Sequence, residues 1–178
     1  MNSSFSKIVA KTLVWEGGFV DNPNDPGGRT NKGITQKEYN SYRTRKGLPA
    51  ADVLNIGDDE VQDIYYNDYF LQVHADLLEG FIKVQWKIFD IGVNMGVGRA
   101  IKFVQTIIGV VPDGQWGPKS QNALVLYQGP AGWDDNMMSQ LVHMQVQRYN
   151  DLVVANPKLS VFLHGWLKRG NDTGDDLE

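Results

Sequence analysis

Glu16, Asp25 and Thr30 are the residues of this chain whose types and spacing suit a cleavage reaction at a sugar linkage. Breaking a glycosidic bond takes one group that protonates the departing oxygen and another that supports the oxocarbenium-like centre or orients water, a task usually given to two carboxylates. Glu16 suits the first role. The periodicity places it at the end of an apolar helix, seven residues after Val9 on the buried stripe, where the helix dipole and the neighbouring Trp15 would both keep a proton on it. The plainer alternative is a solvated glutamate that only ends the helix. Asp25 and Thr30 follow in a Gly-rich loop that can fold back over the helix end, where they could position water, although Asn22 to Gly27 is also ordinary turn chemistry.

The elements that must position these groups read as helices. Phe5, Ile8, Val9, Thr12 and Leu13 recur at spacings of three and four, so a helix is predicted over residues 4–16, with Ser3 or Ser4 as its cap and Gly17-Gly18 as its stop. Residues 17–33, with five Gly and two Pro, read as a long ordered loop, a kind that is commonly functional. Thr35-Gln36-Lys37-Glu38 is a capping box opening a helix to Lys46, which Gly47 closes. Asp58 or Asp59 is predicted to cap a third helix through Val61, Ile64, Tyr65, Tyr69 and Phe70. Further helices are expected over 84–94, 98–109, from Pro118 to Tyr127, from an Asp134 or Asp135 cap to Asn156, and over 159–168. The acidic tail from Asn171 reads as frayed. Alternating runs are scarce, so the class is mainly α, a single compact unit of seven to eight helices.

Composition narrows the chemistry. A chain of 178 residues can bury a full core without staples. Without cysteine it has no thiolate nucleophile and no Cys-type zinc site. His74, His143 and His164 lack partners at ligand spacing, so no metal or other cofactor is expected. A net charge of −4 gives no footprint for nucleic acid. No apolar run approaches a membrane span and no signal peptide is visible at the start. Among the crowded aromatics Tyr65, Tyr66, Tyr69 and Phe70, most should be core, with Tyr69 the one expected to line a groove.

The run from Glu16-Gly17-Gly18-Phe19 through Asp25-Pro26-Gly27-Gly28-Arg29-Thr30 to Gly33-Ile34-Thr35 resembles the signature of glycoside hydrolase family 108, the peptidoglycan-cleaving N-acetylmuramidases of phages and bacteria. Phe89-Asp90-Ile91-Gly92-Val93-Asn94-Met95-Gly96 resembles a second element of that family, and Gln105 to Leu124 its small peptidoglycan-binding region. Phe162 to Arg169 resembles its closing element, so the likeness spans nearly the whole chain. The resemblance implies a lysozyme-like helical fold, with residues 1–96 catalytic and 97–178 a peptidoglycan-binding-like region. It implies Glu16 as the acid, with supporting roles for Asp25 and Thr30. Phe19 stands where the family usually has Tyr, which leaves stacking on sugar as its contribution. Asn94 is implied to bind an acetamido or hydroxyl group, its alternative being a helix C-cap beside Gly96.

The expected activity is therefore hydrolysis of the β-1,4 bond between N-acetylmuramic acid and N-acetylglucosamine by a monomer acting on glycan strands. The expected route is cytoplasmic synthesis and assisted arrival at the wall, which suits a phage endolysin released through a holin pore and equally a bacterial, prophage-derived enzyme. Rival readings are a wall-binding or secretion-linked protein that does not turn over substrate, and a lytic transglycosylase, which needs the acid but no activated water.

Overall fold

The computed structural model describes residues 3–21 and 28–177. The fold is mainly α, with eight α-helices among the described residues, and it divides into two compact units, Met1–Asp68 and Tyr69–Glu178.

The first unit holds α1 (Ser3–Leu13), a two-stranded antiparallel hairpin β1 (Thr30–Asn31) and β2 (Ile34–Thr35), then α2 (Gln36–Arg45) and α3 (Asp58–Ile64). Phe5, Ile8 and Val9 of α1 are buried at the predicted spacing, with Ile34, Tyr39, Tyr42, Val61 and Ile64. The capping box forms as read: Thr35 Oγ1 accepts from the Glu38 N–H at 3.2 Å, and Glu38 Oε2 accepts from the Thr35 N–H at 2.8 Å. Gly47, at φ 66°, follows the Lys46 cap. Glu60 ties α3 to α2, accepting from the Tyr39 hydroxyl at 2.6 Å and from Arg43 at 2.7 Å.

Three expectations for this unit change. Helix α1 ends at Leu13, and Val14 and Trp15 continue only as a tight turn onto Lys11 and Thr12 carbonyls. The cause is non-local: Val20 pairs with Thr30 in both directions, at 2.8 and 2.9 Å, and this bridge draws the chain off the helical path. The same bridge and the hairpin give the long loop strand structure. The cap of α3 is Gly57, whose N–H donates to Glu60 Oε2 at 3.2 Å, so Asp58 and Asp59 lie in the first turn, where acids suit the helix dipole. Beyond α3 the chain widens into a π-helical turn, Tyr65–Phe70.

The second unit is built on α4 (Ile82–Met95), buried along most of its length, which packs against α5 (Val97–Ile107) and α7 (Trp133–Ala155). Pro118 opens α6 (Pro118–Tyr127) at the first helical position as expected. The cap of α7 is Gly132 at φ 75°, with Asp134 and Asp135 in its first turn, and α8 spans Ser160–Gly170. Gln105 organises the loop before α6, donating to Asp113 Oδ1 and the Gln115 carbonyl while its own carbonyl accepts from the Gly114 N–H.

The tail is docked rather than frayed. Leu177 is buried, and Gly174, at φ 73°, sits so close to Trp86 that a Cβ there would come within 2.8 Å of the indole. Lys87, with no exposed surface, donates to the carbonyls of Gly170 at 2.7 Å and Asp172 at 2.9 Å, satisfying acceptors that the end of α8 leaves open. Arg169 grips the fully buried Asp90 through two nitrogens, at 2.9 and 3.0 Å. Those bonds anchor the segment that composition alone marks as free.

Candidate active site

The candidate acid stands on a turn and is supported by the hairpin. Asn31 and Ile34 flank a two-residue turn in which Lys32 and Gly33 both take positive φ, 50° and 76°. Such a turn matches the twist of the strands and favours glycine. It is held from below. The buried Asn31 amide donates to the Val53 and Leu54 carbonyls at 3.1 and 3.0 Å, and Gln36 Oε1 accepts from the Val53 N–H at 2.8 Å. From the side, the buried Tyr65 hydroxyl donates to the Lys32 carbonyl at 2.7 Å, while the Lys32 ammonium pairs with Asp58.

Glu16 lies over this turn, half-buried, three residues past the end of α1. A Cβ on Gly33 would come within 3.1 Å of both Cγ and Oε2 of Glu16 and within 2.5 Å of the Tyr65 hydroxyl oxygen. Only glycine leaves room there for the carboxylate to settle against backbone. Glu16 is thus neither in the last turn of a helix nor a fully solvated terminus. The expected helix-end placement gives way to close packing against the hairpin.

At the start of the hairpin, Arg29 bridges Asp21 at 3.3 Å and Asp52 at 2.8 Å, and its guanidinium lies 5.3 Å from the centre of the Phe19 ring. Phe19 is therefore partly exposed with a cation over its ring. Thr30 is on the same hairpin, pairs through its backbone with Val20 and Thr35, and directs its hydroxyl to the Gly28 carbonyl at 3.3 Å. Asp25 lies outside the described residues.

Tyr69 and Asn94 belong to the second unit. Tyr69 is half-buried in the π-helical turn, a deformation that often accompanies function. Asn94 is in the last turn of α4, whose C-cap is Gly96 at φ 89°, so the capping alternative for Asn94 falls. Its Oδ1 accepts from the buried Tyr149 hydroxyl at 2.8 Å. His74 stacks on Trp116 at 4.9 Å, and burial pushes its imidazole below the usual range against the opposing pull of Asp76. No group of metal-ligating side chains occurs among the described residues.

The sequence singled out Glu16 as a candidate and passed over Gly33, Tyr65 and Arg29. The Asn-Lys-Gly turn was the available signal for Gly33; Tyr65 read as one aromatic of a core stripe.

Residues 9–96 match the family described as Glycosyl hydrolase 108. The chain carries a glycoside hydrolase family 108 domain. Residues 99–171 match a second family, described as Predicted Peptidoglycan domain. Together the two matches make it a glycoside hydrolase that acts on peptidoglycan. Among solved structures it is similar to one titled "Structure of Brucella abortus SagA", with a TM-score of 0.72 and 27% identity over 98% of this chain and 93% of that one. No curated protein sequence matches it. No helix among the described residues is long and apolar enough to cross a membrane.

Proposed function

We propose that the protein is an N-acetylmuramidase that hydrolyses the β-1,4 bond between N-acetylmuramic acid and N-acetylglucosamine, with Glu16 as general acid. The observation that carries this reading is the seat of Glu16 against Gly33, which fixes a carboxylate on rigid backbone beside a tyrosine hydroxyl. A proton donor has to be held near the leaving oxygen, and positioning of that kind is a large part of its effect. Asp25 and Thr30 are assigned to water or developing positive charge. Phe19, Tyr69 and Asn94 are assigned to the sugar chain. Residues 1–96 supply catalysis and 97–178 hold the wall, and delivery through a holin pore, as for a phage endolysin, belongs to the same reading.

The test is Glu16→Gln on purified sacculi, scored for binding and for lysis, with mass spectrometry of the released sugars. The variant should bind and not lyse, and its parent should release reducing ends. Equal lysis by both would remove Glu16 from the mechanism. Binding without lysis by either would indicate a wall-binding protein, and anhydro ends a lytic transglycosylase.

A further inference from the structure

Asn94 opens onto a cleft of about 240 Å³ in the second unit whose remaining walls the glycosidic chemistry does not use. Met95 of α4, Arg99 of α5, Arg148 and Tyr149 of α7 and Trp166 of α8 face it with Asn94.

One wall is aromatic. The Tyr149 and Trp166 rings stack at 5.4 Å and 22°, and Trp166 and Phe162 at 5.8 Å and 25°. Tyr149 is buried and Phe162 is 54% exposed, so the ladder leads from the interior to solvent. Such a surface suits the apolar face of a sugar or an aliphatic side chain. The other wall is cationic. Arg29, Arg43, Arg45 and Arg169 each pair with a carboxylate, whereas neither Arg99 nor Arg148 does so among the described residues. In a chain with 21 acidic residues and a net charge of −4, two unpaired guanidinium groups on one concavity call for an anion from elsewhere.

The third polar group is the Asn94 amide. Its oxygen is engaged by the Tyr149 hydroxyl, which itself accepts from Gln145 at 3.0 Å, so the amide turns its NH2 group outward as a donor. The unengaged side-chain polar groups offered to the cleft, the Asn94 NH2 and the two guanidinium groups, are thus donors. A ligand that satisfies them must bring anionic acceptors next to an apolar body.

We propose that this cleft is a subsite for a carboxylate of peptidoglycan, clamped by Arg99 and Arg148 with Asn94 and stacked on Trp166. The proposal rests on peptidoglycan being the substrate. Two sources offer the group: a free carboxylate of the stem peptide, or the lactyl carboxylate of a muramic acid that carries no peptide.

The experiment titrates the full chain by calorimetry with a defined muropeptide, with the same muropeptide amidated at its carboxylates, and with a peptide-free glycan fragment. The parent should bind the free-carboxylate muropeptide about tenfold more tightly than the amidated one, and Arg99→Gln and Arg148→Gln should each abolish that preference. Both positions are at least partly exposed, so the variants should stay folded. Tight binding of the peptide-free fragment, lost in the same variants, would assign the lactyl group; weak binding would assign the stem peptide. Equal affinity for the free and amidated forms together with weak binding of the peptide-free fragment, or carboxylate-dependent binding that survives both substitutions, would overturn the proposal. Wall hydrolysis by the parent is scored separately. Digestion without carboxylate preference sinks the cleft alone, and no digestion sinks the muramidase reading while the binding comparison stands.

Discussion

Gly33 lies directly against Glu16: the point where its side chain would begin is 3.1 Å from the glutamate's Oε2. Glycine at this position answers two demands at once, a backbone at φ 76° and an open space for a carboxylate.

Gly33→Ala should therefore cost both activity and stability. Left-handed backbone disfavours alanine by about 1 kcal/mol, and the methyl's contact with the buried Tyr65 hydroxyl adds an overpacking cost of about 1–3 kcal/mol. The added methyl would meet the Tyr65 hydroxyl and Glu16 together, so the carboxylate must move. Lysis of sacculi should fall at least tenfold, by the sensitivity of catalysis to misplacement, while the far-UV spectrum and cooperative unfolding are kept.

Tyr65→Phe removes the donor that holds the Lys32 carbonyl and leaves the ring in place. The expected loss is about 1 kcal/mol of stability, read from denaturant unfolding, together with a lower turnover number. Unchanged turnover would mean that the turn keeps its shape without the hydroxyl.

How far all this could be read in advance depended on how local each cause was. The Thr35 and Glu38 capping box, Gly47 and Pro118 act within a few residues of themselves, and the helices they bound formed where the pattern put them. Helix α1 ended early because Val20 pairs with Thr30, and no residue near Leu13 encodes that partner. The charge partner of Asp90 could not be read from its own helix, since Arg169, which holds it, lies 79 positions away. At the candidate site, Glu16 stood out from its neighbours Trp15 and Gly17-Gly18. The hydroxyl of Tyr65, bonded 33 positions back along the chain, was not.

The buried pair gives a direct stability test. Arg169→Met should cost about 3–5 kcal/mol, because it leaves the Asp90 carboxylate without its charge partner in a dry site. Adding Asp90→Leu should recover much of that loss. Denaturant midpoints of the single and double variants decide the matter.

Two groups on α2 and α3 should make stability depend on pH at opposite ends of the scale. The Lys46 ammonium, bonded to Asp63, holds that carboxyl below its ordinary value of 3.8. A depressed carboxyl contributes above its unfolded pKa and loses the contribution as pH falls through its folded one. Asp63→Asn should therefore lower the melting temperature near neutrality, with the difference closing in acid below that value. Burial, helped by Asp63, pushes the Tyr42 phenol from 10.0 up to about 12. Its contribution is full below the unfolded value and disappears as pH rises through the folded one. Tyr39 and Tyr127 are also raised by burial, so tyrosinate absorbance should show several phenols titrating late, and Tyr42→Phe should remove one of them.

The anchoring of residues 169–177 bears on how the protein is made. Until those residues leave the ribosome, the ammonium of Lys87 lacks the Gly170 and Asp172 carbonyls and the carboxylate of Asp90 lacks the Arg169 guanidinium, and the helix that carries them is not fully sealed. Synthesis of the second unit thus ends with its own closing step. A nascent chain cut short there should be soft and open to proteases, whatever the length of helix already formed.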